Sequence, residues 1–172
     1  DLAASLESGQ AHRWQREENW YSGVVRGNII KMRQAGRRVE FCCEPSSETQ
    51  ILPILQNYFR LDDDLTAIYA EICRDRRVAA MVARYPGLRL LRVEPWECVV
   101  SFICSANSNI PRIHQVVERL ATGYGAPIDL DTQVHYAFPT PVQLAQASEV
   151  ELRGLGLGFR APYVAQAARL VA

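Results

Sequence analysis

The chain has 172 residues, 48% of them hydrophobic and 22% charged, which is enough apolar content for one ordinary core or two small ones and too much for a disordered polymer. Nineteen basic residues balance nineteen acidic ones, so no overall positive field is available for nucleic acid, and any such footprint has to be local. No apolar run approaches the length of a membrane span and no charged-then-apolar leader is visible, so the sequence reads as intracellular and not membrane-bound.

Residues 9 to 44 read as strands and turns. Trp20–Val25, Gly27–Ile30 and Arg37–Cys42 are short β-favouring runs separated by Arg26-Gly27-Asn28 and Gln34-Ala35-Gly36-Arg37, and these connection lengths predict a small antiparallel meander. Lys31, the chain's only lysine, falls in this strand pattern and reads as a solvated strand position. After the break at Glu44 to Glu48 the period changes to three-four spacing. Ile51, Leu52, Leu55, Tyr58 and Phe59 mark one helix, Leu65, Ile68, Tyr69 and Ile72 a second, and Val78, Met81 and Val82 a third. Asp62-Asp63-Asp64 offers an N-cap for the second of these.

Glu94-Pro95 opens a further helix, because proline in a first turn gives up only an amide that has no intrahelical partner. Trp96, Cys98, Val99, Val100, Phe102, Ile103 and Cys104 are apolar on nearly all sides, the pattern of a helix buried in a core. The short polar residues Ser105 to Asn109 end it, and Asn109 caps the next helix, with Pro111 in its first turn and Arg112 near its amide-rich N-terminus. The final third reads as helical with short links. Thr140 with Gln143 and Ser148 with Glu151 have capping-box spacing. Gly154, Gly156 and Gly158 lack the dinucleotide-fingerprint spacing and instead let the backbone end one helix before the next begins at about Arg160.

The five cysteines (42, 43, 73, 98 and 104) form no Cys-x-x-Cys pair and have no histidine spacing, so a zinc or redox site is not expected and most read as core thiols. His12, His114 and His135 are scattered, and no metal site or cofactor is expected. Eighteen of the nineteen cations are arginine, the better residue for planar, bidentate contacts.

Three ordered blocks carry a resemblance. Leu90-Leu91-Arg92, Pro95, Glu97-Cys98, Ser101 to Ser105, Asn107, Asn109-Ile110 and Arg112-Ile113 form the first. Gly9-Gln10, Arg13-Trp14 and Ser22-Gly23-Val24 precede it, and Leu155 to Ala161 with Tyr163 follows it. Together they resemble the 8-oxoguanine DNA glycosylases of the helix-hairpin-helix superfamily. That resemblance implies an α+β chain, with a small antiparallel sheet domain over 1–90 followed by an all-α helical domain over 91–172.

It also implies excision of 8-oxoguanine opposite cytosine by base flipping, with duplex DNA containing oxidised guanine as partner, a monomeric protein, and work in the bacterial nucleoid or eukaryotic nucleus. Within the chain it assigns Asn107 to fill the vacated base space and Phe159, where the family more often has tyrosine, to wedge the kinked duplex. Arg112 and Arg160 match the pair that reads the orphan cytosine. Gly9 matches the position whose carbonyl accepts the N7 proton found on 8-oxoguanine and absent from guanine; an acceptor left unpaired by the wrong base costs about 1 to 3 kcal/mol. His12 departs from the aromatic hydrocarbon usual there.

The chain opens at Asp1 and stops inside the run Val164, Ala168, Leu170, Val171, so it reads as a fragment whose hairpin, nucleophilic lysine and catalytic aspartate lie downstream; no catalytic residue is assigned within it. Two other readings stay open: an alkylated-base glycosylase of the same superfamily, and a non-catalytic DNA-damage-binding or protein-interaction remnant.

Overall fold

In a computed structural model of the chain, which describes residues 1–130 and 133–172, the elements follow the expected order with three additions: a short N-terminal helix, a fourth strand at the start of the sheet, and a hairpin in the final third. Helix α1 (Leu2–Leu6) precedes the sheet and is capped by Asp1, whose carboxylate accepts the Ala4 amide at 2.7 Å. Strands β1 (Trp14–Glu17), β2 (Trp20–Val25), β3 (Asn28–Ala35) and β4 (Arg38–Glu44) form an antiparallel meander in that order. β1 pairs Trp14 with Gly23, and a side chain at Gly23 would collide with the indole, its Cβ falling 2.5 Å from the ring. The indole N–H donates to Tyr58 Oη at 2.9 Å, fastening the sheet to α2 (Glu48–Tyr58). Ile51 and Leu55 of α2 join Leu6, Tyr21, Ile30 and Met32 in one apolar core.

α3 (Leu65–Ile72) starts at Asp64, whose carboxylate accepts the amides of Thr66 and Ala67, and α4 (Arg76–Arg84) starts at Asp75 in the same way. The neighbouring Asp62 pairs with Arg92 at 2.8 Å, and that guanidinium holds its carboxyl below the usual range. The second core is built by α5 (Pro95–Ser105), α6 (Ile110–Tyr124), α7 (Pro141–Ala145), α8 (Glu149–Leu152) and α9 (Ala161–Val171), with Val100, Val117, Leu120, Leu144, Leu152 and Val164 fully buried. Asn109, Thr140 and Ser148 cap α6, α7 and α8 as their spacing predicts.

Three expectations need correction. The final third is not purely helical: β5 (Pro127–Leu130) and β6 (Gln133–Tyr136) form a hairpin, each strand too short to carry a period-two signal distinguishable from a loop. α5 is not buried all round. Trp96, Val100 and Cys104 face the core, whereas Cys98 and Val99 are exposed and Phe102 is 78% exposed, because the single layer of α6 and α9 covers only one face. Of the cysteines only Cys104 is a core thiol, its pKa pushed up to about 11 by burial; Cys42 and Cys98 are exposed, and Cys43 and Cys73 half-buried. Lys31 stands on β3, paired with Ser22 and Cys42, its Nζ 5.8 Å from the Trp20 ring centre.

Candidate nucleic-acid interface

The site is assembled around the turn between α5 and α6. α5 ends at its cap Ala106, and Asn107 then takes φ +49°, the left-handed conformation that asparagine tolerates better than other residues with a Cβ. Its side chain is exposed and has no hydrogen-bond partner among the described residues. Asn109 next caps α6 by accepting the Arg112 amide at 3.0 Å. Arg112 lies in the first turn, exposed, with no ion pair or side-chain hydrogen bond among the described residues. A cation at the positive end of a helix contributes nothing to that helix, so its five N–H donors stand ready for an external acceptor.

The second turn approaches from fifty residues further along. Between α8 and α9 the chain passes through Gly156 at φ +96° and Gly158 at φ +58°, conformations that glycine adopts without a Cβ penalty. This route leaves Phe159 with its ring 51% exposed while Arg160, the next residue, is 4% exposed. Arg160 points inward onto the first turn. Its Nε donates to Ala106 O at 2.8 Å, Nη2 to Asn107 O at 2.8 Å and also to Ala106 O, and Nη1 to Leu157 O at 3.3 Å. The guanidinium carbon lies 4.5 Å from the Phe159 ring centre, within cation–π range. Asn107 and Phe159 thereby flank one guanidinium.

A groove of about 330 Å³ separates the two turns, lined by Asn109, Arg112, Gln115, Arg119 and Gly156 among others. Two guanidiniums and no carboxylate line it, so a locally positive patch lies here in a chain of zero net charge. On the other side of the turn comes the N-terminal segment. Gly9 has φ +82°, and a Cβ there would fall 2.6 Å from Ile110 Cδ1 in the first turn of α6. Its carbonyl accepts no hydrogen bond among the described residues. Neighbouring Gln10 fixes the backbone: its amide donates to Ser5 O and Arg89 O, and its carbonyl accepts the Leu91 amide at 2.8 Å.

All five residues singled out in the sequence therefore gather on the α5–α6 turn, four through direct contact with it or membership of it and Phe159 through Arg160. Arg160 differs from the expectation of a free fork. Four of its five N–H donors are committed to carbonyls, so it retains a single one, while Arg112 retains its whole guanidinium.

Sequence reading missed the ionisable groups beneath the site. Arg13, 6% exposed, donates to Glu118 Oε1 at 3.0 Å and to Tyr136 O at 2.5 Å, tying the N-terminal segment to α6 and β6. His12 and His114 meet edge to face with ring centres 5.8 Å apart, and burial holds both below the usual histidine pKa. Burial also raises Glu97 to about 7; Arg13 opposes that shift, and Glu118 and Glu94 add to it. No spacing rule joins positions a hundred residues apart, so these pairings had no local signal. Among the described residues no group of three potential metal ligands occurs and no helix is long and apolar enough to cross a membrane.

Comparison with known proteins agrees over the whole chain. Residues 1–99 match the family model for the 8-oxoguanine DNA glycosylase N-terminal domain, and residues 100–172 match that for HhH-GPD superfamily base excision DNA repair proteins. An N-glycosylase/DNA lyase of Saccharomyces cerevisiae is 32% identical over 98% of the chain and 48% of the relative; one of Arabidopsis thaliana is 29% identical over 95% and 46%. The chain thus spans about half the length of these curated relatives. The 8-oxoguanine glycosylase/lyase of Clostridium acetobutylicum, solved with double-stranded DNA containing cytosine opposite 8-oxoguanine, superposes with a TM-score of 0.91 at 29% identity, covering 98% of this chain and 58% of that one. With matching models across both segments and this fold, the chain belongs to the 8-oxoguanine DNA glycosylase family, within the HhH-GPD superfamily of base-excision repair proteins.

Proposed function

We propose that the protein carrying this chain is a DNA glycosylase with associated lyase activity that removes 8-oxoguanine opposite cytosine from duplex DNA, acting where the genome is kept. The observation that carries this reading is the pairing of two exposed side chains, Asn107 and Phe159, on turns some fifty residues apart that Arg160 holds against each other. A flipped base leaves a gap and a kink, and the enzyme has to fill one and wedge the other within neighbouring base steps. Asn107 enters the gap and the Phe159 ring stacks beside the estranged base.

Arg112 reads the orphan cytosine, since a planar fork of donors suits cytosine's two acceptors; Arg160 has one N–H to add. The Gly9 carbonyl tests the flipped purine for a proton on N7, and a purine without it leaves that acceptor unpaired. Residues 1–90 supply this pocket wall and residues 91–172 the DNA-contacting turns. The lyase step needs an amine to attack the sugar's anomeric carbon, forming a C–N bond as the glycosidic bond to the departing base breaks. Lys31 sits in a β-ladder on Trp20, so we place that amine, and the aspartate that assists it, outside residues 1–172.

Single-turnover excision on duplexes carrying 8-oxoguanine opposite each of the four bases tests the reading. The full-length protein is expected to prefer cytosine and to leave undamaged guanine and 3-methyladenine in place. Faster release of the alkylated base would replace this reading with the alkylation-repair one.

A further inference from the structure

Arg160 is a buried cation without a carboxylate partner among the described residues, an arrangement that costs several kcal/mol unless hydrogen bonds replace the lost water. What replaces it is backbone: the carbonyls of Ala106 and Asn107 at the C-terminal end of α5, and that of Leu157 in its own turn. Ala106 is the C-cap of the eleven-residue α5 and Asn107 follows it, so Arg160 sits just past the negative end of that helix, held by carbonyls and not by an ion pair. Its opposite side faces the Phe159 ring. One planar group therefore touches the backbone of the gap-filling residue and the face of the wedge.

We infer that Arg160 is a positioning residue, whose task is to hold Asn107 in its left-handed conformation and Phe159 beside it so that both enter DNA as one unit. This rests on the glycosylase reading given above. Asn107 at φ +49° is in a conformation that asparagine can adopt and leave, and the hydrogen bond from Nη2 to its carbonyl fixes it there. Lysine cannot substitute. Its single ammonium is a point donor and cannot bridge two successive carbonyls while presenting a flat face to an aromatic ring.

The test is a double-mutant cycle in the full-length protein, using Arg160→Gln, Asn107→Ala and the double variant, with two readouts. One is single-turnover excision. The other is the fluorescence of 2-aminopurine placed next to the lesion, which rises when a side chain enters the duplex and unstacks it. Each single variant is expected to lose about tenfold to a hundredfold in excision, the scale of a misplaced group, and to lose the fluorescence rise. The double variant should lose far less than the product of the two single losses, because Arg160 acts in part through Asn107. Single losses that multiply in the double variant, or a fluorescence rise that survives in Arg160→Gln, would overturn the inference and make Arg160 act independently of Asn107. Where Arg160→Gln does not fold, Arg160→Lys serves in its place, since it keeps the charge at the end of α5; full fluorescence with lysine present would also overturn it. Wild-type protein that neither excises 8-oxoguanine nor raises the fluorescence would bring down the glycosylase reading itself.

Discussion

Gly9 lies so close to Ile110 that a single added carbon would come within 2.6 Å of Ile110 Cδ1. The two residues belong to the N-terminal segment and to α6, and on the proposed reading their approach forms the wall against which the flipped base is tested. At φ +82° the backbone is also strained for any residue with a Cβ, and Ile110 can yield only by turning its side-chain tip. Gly9→Ala is expected to lower stability by about 1 to 2 kcal/mol, read as a reduced melting temperature. It should also narrow discrimination between 8-oxoguanine and guanine. Unchanged discrimination at full occupancy would remove Gly9 from the recognition site.

The glycine turn makes a sharper comparison within three residues. Gly154 has no positive φ and open space where a Cβ would go, whereas Gly156 sits at φ +96° with Arg119 Nη1 3.0 Å from that point. Gly154→Ala is therefore expected to be neutral or to stabilise by up to about 1 kcal/mol, and Gly156→Ala to destabilise by about 1 to 2 kcal/mol. Equal effects in chemical denaturation would mean that the turn relaxes freely and does not set the place of Phe159.

Arg112→Ala in the full-length protein should blunt selectivity for cytosine opposite the lesion by about 1 to 3 kcal/mol, the value of a good bidentate contact, with little change in overall affinity. Equal losses for all four opposite bases, together with a shallower salt dependence, would mark it as a phosphate contact.

The 172-residue chain alone is expected to give no covalent adduct when borohydride is added with an 8-oxoguanine duplex, because its sole amine side chain, Lys31, packs over Trp20 on β3. A trapped adduct that disappears in Lys31→Ala would put the nucleophile in the sheet.

Glu97 gives a pH signature. Burial raises its folded-state pKa from the ordinary 4.5 to about 7, so the stability it contributes is complete below pH 4.5 and is lost as pH rises through about 7. Glu97→Gln removes the charge that has to be buried. It should raise stability at pH 8 by about 1 to 2 kcal/mol and leave it nearly unchanged at pH 4.5, as measured by melting temperature across that range. A uniform shift at every pH would assign the effect to packing instead.

The local parts of this architecture were legible in the sequence. Asp64, Asn109, Thr140 and Ser148 cap helices because short polar side chains satisfy amides two or three residues away, a relationship written in adjacent positions. The apolar spacing of α2 and α6 is equally local. The face that α5 leaves open was not legible, since Phe102 and Val100 are the same kind of residue until a neighbouring helix covers one of them. At the site, the family resemblance singled out Asn107, Arg112 and Phe159, and all three are exposed, whereas the inward turn of Arg160 depends on a carbonyl 53 positions away.

The Arg13 link has a consequence for folding itself. Its two partners, Glu118 and Tyr136, lie 105 and 123 residues along the chain, so the ends of a very long loop have to meet before the guanidinium finds either. Contacts of that separation form late and slowly. Each core can condense around its own helices first, and Gly9 reaches Ile110 only when the two are brought together. On the reading proposed above, the wall at Gly9 is thus completed at the end of folding, and a local opening around Arg13 would undo it while leaving both cores intact.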